Sequence, residues 1–147
     1  MPSIFTKIIQ RELPAHIVWE DADHLAFLDI RPVRPGHTLV IPKREVPSLF
    51  DLSPIEYQNL WRAVRRVEAR LKAKLGCKRV AVAVIGWEVP HVHVHLIPTN
   101  SIADVPMPPA CGMSPSEIAE LARRFDDGAT TLDHPIVSER TVDLGEE

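Results

Sequence analysis

His91-Val92-His93-Val94-His95-Leu96-Ile97-Pro98 places three histidines two residues apart, separated by branched apolar residues. Strict alternation of this kind predicts a half-buried β-strand. Side chains on a strand point alternately to opposite faces, so His91, His93 and His95 are expected on one face and Val92, Val94 and Leu96 in the core on the other. A two-residue repeat rises about 6.6 Å, so the histidine row spans roughly 13 Å. That is too long for three equal ligands of one atom. It suits a central imidazole acting on a reacting atom, with a helper on each side. A single strand histidine is ordinarily structural, but three in alternation with no polar residue between them are hard to explain by packing. Two chemistries stay open on these residues alone. One is zinc binding by a His-x-His pair plus a remote histidine, for which His37 could serve as the third ligand. The other is nucleophilic catalysis by an imidazole.

Outward from this stretch, the chain alternates strands and helices. Ser3 can cap a short helix from Ile4 to about Arg11, stopped by Pro14. His16–Trp19 and Leu25–Asp29 read as a hairpin around Asp21-Ala22-Asp23-His24. Arg34-Pro35-Gly36 marks a turn before a strand His37–Ile41. Ser53-Pro54-Ile55-Glu56 combines a capping serine, proline in the first helical position and a glutamate three residues on, a strong helix start. Leu60, Trp61, Val64, Val67, Leu71 and Leu75 then recur with helical period, up to Gly76. Arg62, Arg65, Arg66, Arg70, Lys72 and Lys74 lie largely off that row and are read as a solvated face. Strands Val80–Ile85 and His91–Ile97 are joined by the short link Gly86–Pro90, which favours antiparallel neighbours. Ser114-Pro115-Ser116-Glu117 starts a last helix with the apolar row Ile118, Leu121 and Phe125, followed by a polar tail. Antiparallel strands with helices between them imply an α+β fold.

The 147 residues suffice for one ordinary domain, and 45% hydrophobic with 25% charged residues is the balance of a soluble globular chain. A formal net charge of −3 argues against binding long nucleic acid through its phosphates, though not against one small nucleotide. Cys77 and Cys111 fit no metal spacing and read as free thiols in a reducing compartment, so a cytoplasmic location is expected. No apolar run approaches the length of a membrane span, and no membrane partner is expected.

The histidine stretch resembles the motif of the histidine triad (HIT) family, in which three histidines alternate with apolar residues. Ile4-Phe5-Thr6-Lys7-Ile8-Ile9, Leu25-Ala26-Phe27-Leu28-Asp29-Ile30 and Pro35-Gly36-His37-Thr38-Leu39-Val40-Ile41-Pro42-Lys43 resemble segments of the Hint-like branch, in the same order. The resemblance covers about residues 3 to 100. It implies a HIT domain over 1–105 and a C-terminal extension over 106–147, with a helix at about 115–126 and then the polar tail. It also implies a five-stranded antiparallel sheet with two main helices, and a homodimer. The implied chemistry is a nucleotidyl hydrolase or transferase acting on a purine nucleotide. His93 would be the nucleophile that forms a nucleotidyl-histidine, its far nitrogen donating to the carbonyl of His91. His95 would contact the phosphate, with His37 beside the triad. Asp29 would bind the ribose hydroxyls; Ile4, Phe5, Ile8 and Ile30 would form the slot for the base; Gly86 and Glu88 would border the phosphate. Without the resemblance, Asp29 reads as a turn starter and the apolar residues as core.

Three departures separate this chain from the branch. Ser3, Thr6 and Glu45 occupy positions where several relatives carry two cysteines and a histidine for zinc, so no metal or other cofactor is expected. The loop before the triad is contracted to Ile85-Gly86-Trp87-Glu88-Val89-Pro90, with Glu88 where the branch has a serine. Pro106-Met107-Pro108-Pro109 and the last helix have no clear equivalent. The leading expectation is hydrolysis of a nucleoside 5′-phosphoramidate or similar conjugate. Dinucleoside polyphosphate hydrolysis, nucleotidyl transfer, nucleotide or partner binding with little catalysis, and metal binding by His37, His91, His93 and His95 are the alternatives.

Overall fold

The computed structural model describes residues 1–105 and 107–126, and the chain divides into two compact units, Met1–Met107 and one beginning at Pro108. The first unit contains α1 (Ile4–Ile9), β1 (Ile17–Glu20), β2 (His24–Leu28), β3 (Thr38–Pro42), α2 (Pro54–Leu75), β4 (Arg79–Ala83) and β5 (Val94–Thr99), with single 3-10 turns at Leu49–Asp51 and Ile102–Asp104. The strands form one antiparallel sheet in the order β1-β2-β3-β5-β4. This is the α+β architecture expected from the sequence.

Both faces of the central strands are covered, which explains why β2 and β3 are buried almost throughout. On one face, Leu60, Ala63, Val64, Val67 and Leu71 of α2 pack on Ala26, Val40, Val94 and Leu96. On the other, Phe5 and Ile8 of α1 pack on Leu25, Phe27, Leu39 and Ile41. The start of α2 has the full capping box of Ser53 and Glu56, and Gly76 closes it with a left-handed φ of 66°. Its arginines and lysines at 62, 65, 66, 70, 72 and 74 are exposed, as a solvated face requires. Leu75 departs from the apolar row and is exposed at the last helical position.

Several boundaries differ from the sequence reading: β1 to β4 are displaced by one or two residues at their ends, and three differences bear on the site or the second unit. The first helix ends at Ile9 rather than Arg11, because Arg11 takes a left-handed φ of 62° and turns its guanidinium onto Glu20 at 2.7 Å. The fifth strand begins at Val94 rather than His91. Its pairing with β3 starts at Val40↔Val94, and the Val92 N–H instead bonds the Val46 carbonyl at 2.8 Å, in the segment after β3. The alternation of His91 and His93 is therefore not that of a strand, and Val94 is the first triad-region residue held by the ladder. In the second unit, a helix α3 (Pro115–Arg123) is capped by Ser114 and Glu117 and is shorter than the expected 115–126; Ile118, Leu121 and Phe125 are exposed. Pro106 and the polar tail from residue 127 lie outside the described residues.

Gly36 turns the chain into β3 with φ +88°, and a Cβ there would collide with Leu75 Cδ1 and lie 3.1 Å from Pro98 Cγ. Gly36→Ala is expected to destabilise the domain by about 1–2 kcal/mol, from the left-handed backbone and the tight approach to Pro98, since the exposed end of Leu75 can turn away. A urea midpoint unchanged from the parent would contradict this.

Candidate active site

The triad lies where β5 begins, between α1 and the segment that follows β3. His91 is fully buried, His93 and His37 are nearly so, and His95 is half-buried. Phe5 of α1 sets its ring edge-on against both His93 and His91, with centroids 5.0 and 5.7 Å away. His93 and His95 are 5.2 Å apart by the same measure, and His95 and His37 5.1 Å. The histidine face is thus a covered one, since α1 closes over it.

Hydrogen-bond partners fix the tautomer of each ring. His93 Nδ1 lies 2.7 Å from the carbonyl oxygen of His91, which can only accept. The proton therefore sits on Nδ1, and Nε2 of His93 carries a lone pair. His91 Nε2 lies 2.7 Å from the Pro42 carbonyl, so it donates there and Nδ1 accepts from Ser3 Oγ at 2.7 Å. The Val33 N–H donates to His37 Nδ1 at 3.2 Å, so His37 Nε2–H donates to His95 Nδ1 at 2.9 Å. That leaves the Nε2–H of His95 as a donor without a partner among the described residues.

The electrostatics favour the neutral form of His37, His91 and His95. Burial pushes the pKa of His37 down, opposed by the Asp29 charge. Burial also lowers His91, against the Pro42 hydrogen bond and Glu45. His95 is lowered by burial first and then by its neighbours His93 and His37, while Asp29 and Glu88 act the other way. The Glu88 side chain is exposed.

Asp29 Oδ1 accepts the Arg31 N–H at 2.8 Å, which is turn chemistry, while Oδ2 faces His37 Nε2 at 3.6 Å. Asp29, His37 and His95 are the set that converges, not His37, His91, His93 and His95. The tautomers oppose a metal there. A metal on His37 Nε2 would force the proton to Nδ1, where the Val33 N–H already points. Zinc at the Ser3–Thr6–Glu45–His91 position fits no better, since two hydroxyls replace the thiolates or imidazoles that such a site needs.

Of the residues expected around a base, Phe5 and Ile8 are buried in the α1 core, while Ile4 and Ile30 are exposed. Gly86 borders a cavity of about 200 Å³ beside His93, lined also by Leu49, Phe50, Val84 and Ile85. Trp87 neither lines it nor packs on the sheet; it is 91% exposed. Sequence reading missed Leu49 and Phe50, which reach the site from a 3-10 turn with no periodicity to mark them. It also missed the joint role of Ser3, Thr6 and Glu45, which meet around His91. Thr6 Oγ1–H donates to Glu45 Oε1 at 2.8 Å, and the Ser3 N–H donates to the same oxygen.

An imidazole held as the Nδ1–H tautomer with its other nitrogen unengaged, next to a second ring offering an N–H, is equipped to attack an electrophilic centre while the neighbour binds its oxygens. Fold and site together define a histidine-triad protein of the α+β class. Residues 10–102 match the model of the HIT domain, and the chain belongs to the HIT family. It is 43% identical over 100 residues to an uncharacterized HIT-like protein of Methanocaldococcus jannaschii, covering 65% of this chain and 77% of that one. It is 37% identical over 102 residues to the purine nucleoside phosphoramidase of Escherichia coli, covering 65% and 85%. Over 78 residues it is 41% identical to a bis(5′-nucleosyl)-tetraphosphatase of Schizosaccharomyces pombe, covering 50% and 43%. Among solved structures, a HIT family member from Bacillus subtilis superposes with a TM-score of 0.70 at 27% identity, covering 91% and 99%. No helix among the described residues is long and apolar enough to cross a membrane.

The lowered pKa values of the buried His37, His91 and His95 have a consequence for stability. A base depressed in the fold contributes stability that is present above its unfolded pKa, about 6.5, and is lost as pH falls through the folded value. The urea midpoint should therefore decline from pH 7.5 to 5.5, before the depressed carboxylate of Glu56, held at about 2 chiefly by its hydrogen bond from Arg44, enters its own lower window. A flat midpoint over that interval would show that the rings take up protons as readily in the fold as outside it.

Proposed function

We propose that this protein hydrolyses a purine nucleoside 5′-phosphoramidate or a related nucleotide conjugate through a nucleotidyl-histidine intermediate. The observation that carries the reading is the 2.7 Å hydrogen bond from His93 Nδ1–H to the His91 carbonyl, which leaves Nε2 as a free nucleophile. Nε2 of His93 attacks the α-phosphorus, the P–N bond breaks, and the nitrogen takes a proton from solvent and leaves as the amine. Water then attacks the same phosphorus and gives up a proton to solvent, the P–N bond to His93 breaks, and the nucleoside monophosphate and the imidazole are released. His95 Nε2–H is placed to donate to a phosphoryl oxygen, with His37 holding its tautomer. Asp29 retains lone pairs on both oxygens for the vicinal hydroxyls of a ribose. Phe5 and Ile8, with Ile4 and Ile30 at the rim, supply the apolar wall for the base. The phosphoramidase named among the relatives supports this reading, and its match extends over most of that protein.

The tetraphosphatase relative supports the second reading, polyphosphate hydrolysis. Glu88 decides between them. A carboxylate near the triad opposes a polyphosphate leaving group, by up to about 1 kcal/mol at 4 Å in bulk water, and attracts an amine. Gly86 lets the main chain pass close to the phosphate. We also propose a homodimer, since β4 is an edge strand with Val82 exposed and a second copy would cover it.

His93→Ala should lose hydrolysis by several orders of magnitude and form no acid-labile nucleotidyl adduct while staying folded, at a urea midpoint lowered by the loss of a buried ring packed on Phe5. Turnover near the parent level would overturn the nucleophile. The parent should give a higher kcat/KM with adenosine 5′-phosphoramidate than with diadenosine tetraphosphate, and Glu88→Ser should narrow the ratio by up to about fivefold. An unchanged ratio would remove Glu88 from the site. Light scattering at micromolar concentration should report twice the chain mass; a monomer would contradict the dimer.

A further inference from the structure

We infer that Ser3, with Glu45 and Thr6 behind it, forms a metal-free latch that positions the nucleophile by clamping His91; the inference rests on the reading of His93 given above. His91 is buried completely, yet both of its ring nitrogens are engaged. One end is tied to the Pro42 carbonyl at 2.7 Å, where β3 stops, and the other to Ser3 Oγ at 2.7 Å, at the cap of α1. Ser3 is itself buried and fully used. Its hydroxyl donates to His91, its oxygen accepts the Thr6 N–H at 3.1 Å, and its own N–H is held by Glu45. Glu45 Oε1 takes the Thr6 hydroxyl as well.

The ring of His91 does no chemistry in the proposed reaction, so the latch needs another purpose. The carbonyl of the same residue provides one. It alone holds the His93 proton on Nδ1, whereas free imidazole side chains favour the proton on Nε2. A latch on the His91 ring therefore sets the position of the one acceptor on which the reactive tautomer depends. Without the Ser3 hydroxyl, the buried Nδ1 of His91 loses its close donor; the Thr6 hydroxyl lies 3.5 Å away and is committed to Glu45 at 2.8 Å. The ring can recover a bond by moving its proton to Nδ1 and turning to Glu45, whose Oε1 lies 4.0 Å away, but only by giving up Pro42. Either outcome displaces the His91 main chain. The same displacement reaches His93 a second way, because Phe5, two residues beyond Ser3, rests on both rings. Ser3 and Glu45 touch no reacting atom and are positioning residues.

Ser3→Gly keeps an acceptable helix cap and removes the donor. Long-range 1H–15N correlation spectra of ring-labelled histidine read the tautomers directly and need no substrate. The parent should show His93 protonated at Nδ1, and Ser3→Gly should shift it toward the Nε2–H form. Its kcat for adenosine 5′-phosphoramidate should fall about ten- to a hundredfold, with KM within about twofold. Ser3→Thr, which restores the hydroxyl, should recover both signals, and Glu45→Gln, which still offers an oxygen to Ser3 and Thr6, should show a smaller loss of both. An unchanged His93 tautomer in Ser3→Gly would overturn the latch whatever the activity. An inactive parent with the expected tautomer shift would instead refute the hydrolase reading and leave the latch standing. If Ser3→Gly fails to fold, Ser3→Ala carries the same test, and an unshifted His93 tautomer there overturns the inference.

Discussion

A main-chain carbonyl oxygen can only accept a hydrogen bond, and the position of one such oxygen, that of His91, organises this molecule. It lies 2.7 Å from His93 Nδ1 and so dictates which nitrogen of that ring is bare. The rest of the cluster repeats the logic. The Pro42 oxygen dictates the tautomer of His91, and the Val33 N–H dictates that of His37 and, through it, that of His95. Four imidazoles are oriented by three main-chain groups and one hydroxyl. No carboxylate is needed to fix any of them, which suits a site where burial already disfavours charge.

That arrangement requires the backbone segment after β3 to be held from all sides. Lys43 N–H bonds the Asp23 carbonyl at 2.7 Å, Arg44 clamps Glu56 at the start of α2, Glu45 holds α1, and the Val46 carbonyl takes the Val92 N–H. Four consecutive residues thus reach four parts of the fold on both faces of the sheet. Glu56 serves twice, closing the capping box of α2 and pairing with Arg44, so the helix start and the segment beside the site are set by one side chain.

The fold was legible in the sequence where the signal is local. The capping box at Ser53, the period of α2 and the apolar strands needed only neighbours within a few residues. The triad was legible as a cluster, but its alternation was misleading about geometry. His91 and His93 follow the period of a strand without belonging to one, because Val92 bonds a segment 46 residues upstream in place of a ladder partner. Ser3, Glu45 and His91 converge from positions 42 and 88 residues from the start of the latch, and no period links them. Ile4 and Ile30 read as core on the residues alone and are exposed; in α1 only the side that carries Phe5 and Ile8 is buried.

The dependence on a carbonyl has an evolutionary side. Any amino acid at position 91 carries the same oxygen, so no single substitution there deletes the acceptor that orients His93. A side-chain carboxylate in its place would be lost at one stroke. What drift can change is the oxygen's placement, and placement degrades by degrees. A lineage carrying this site can therefore exchange the surrounding contacts, thiolates for hydroxyls or one anchor for another, and pass through intermediates that retain part of their function.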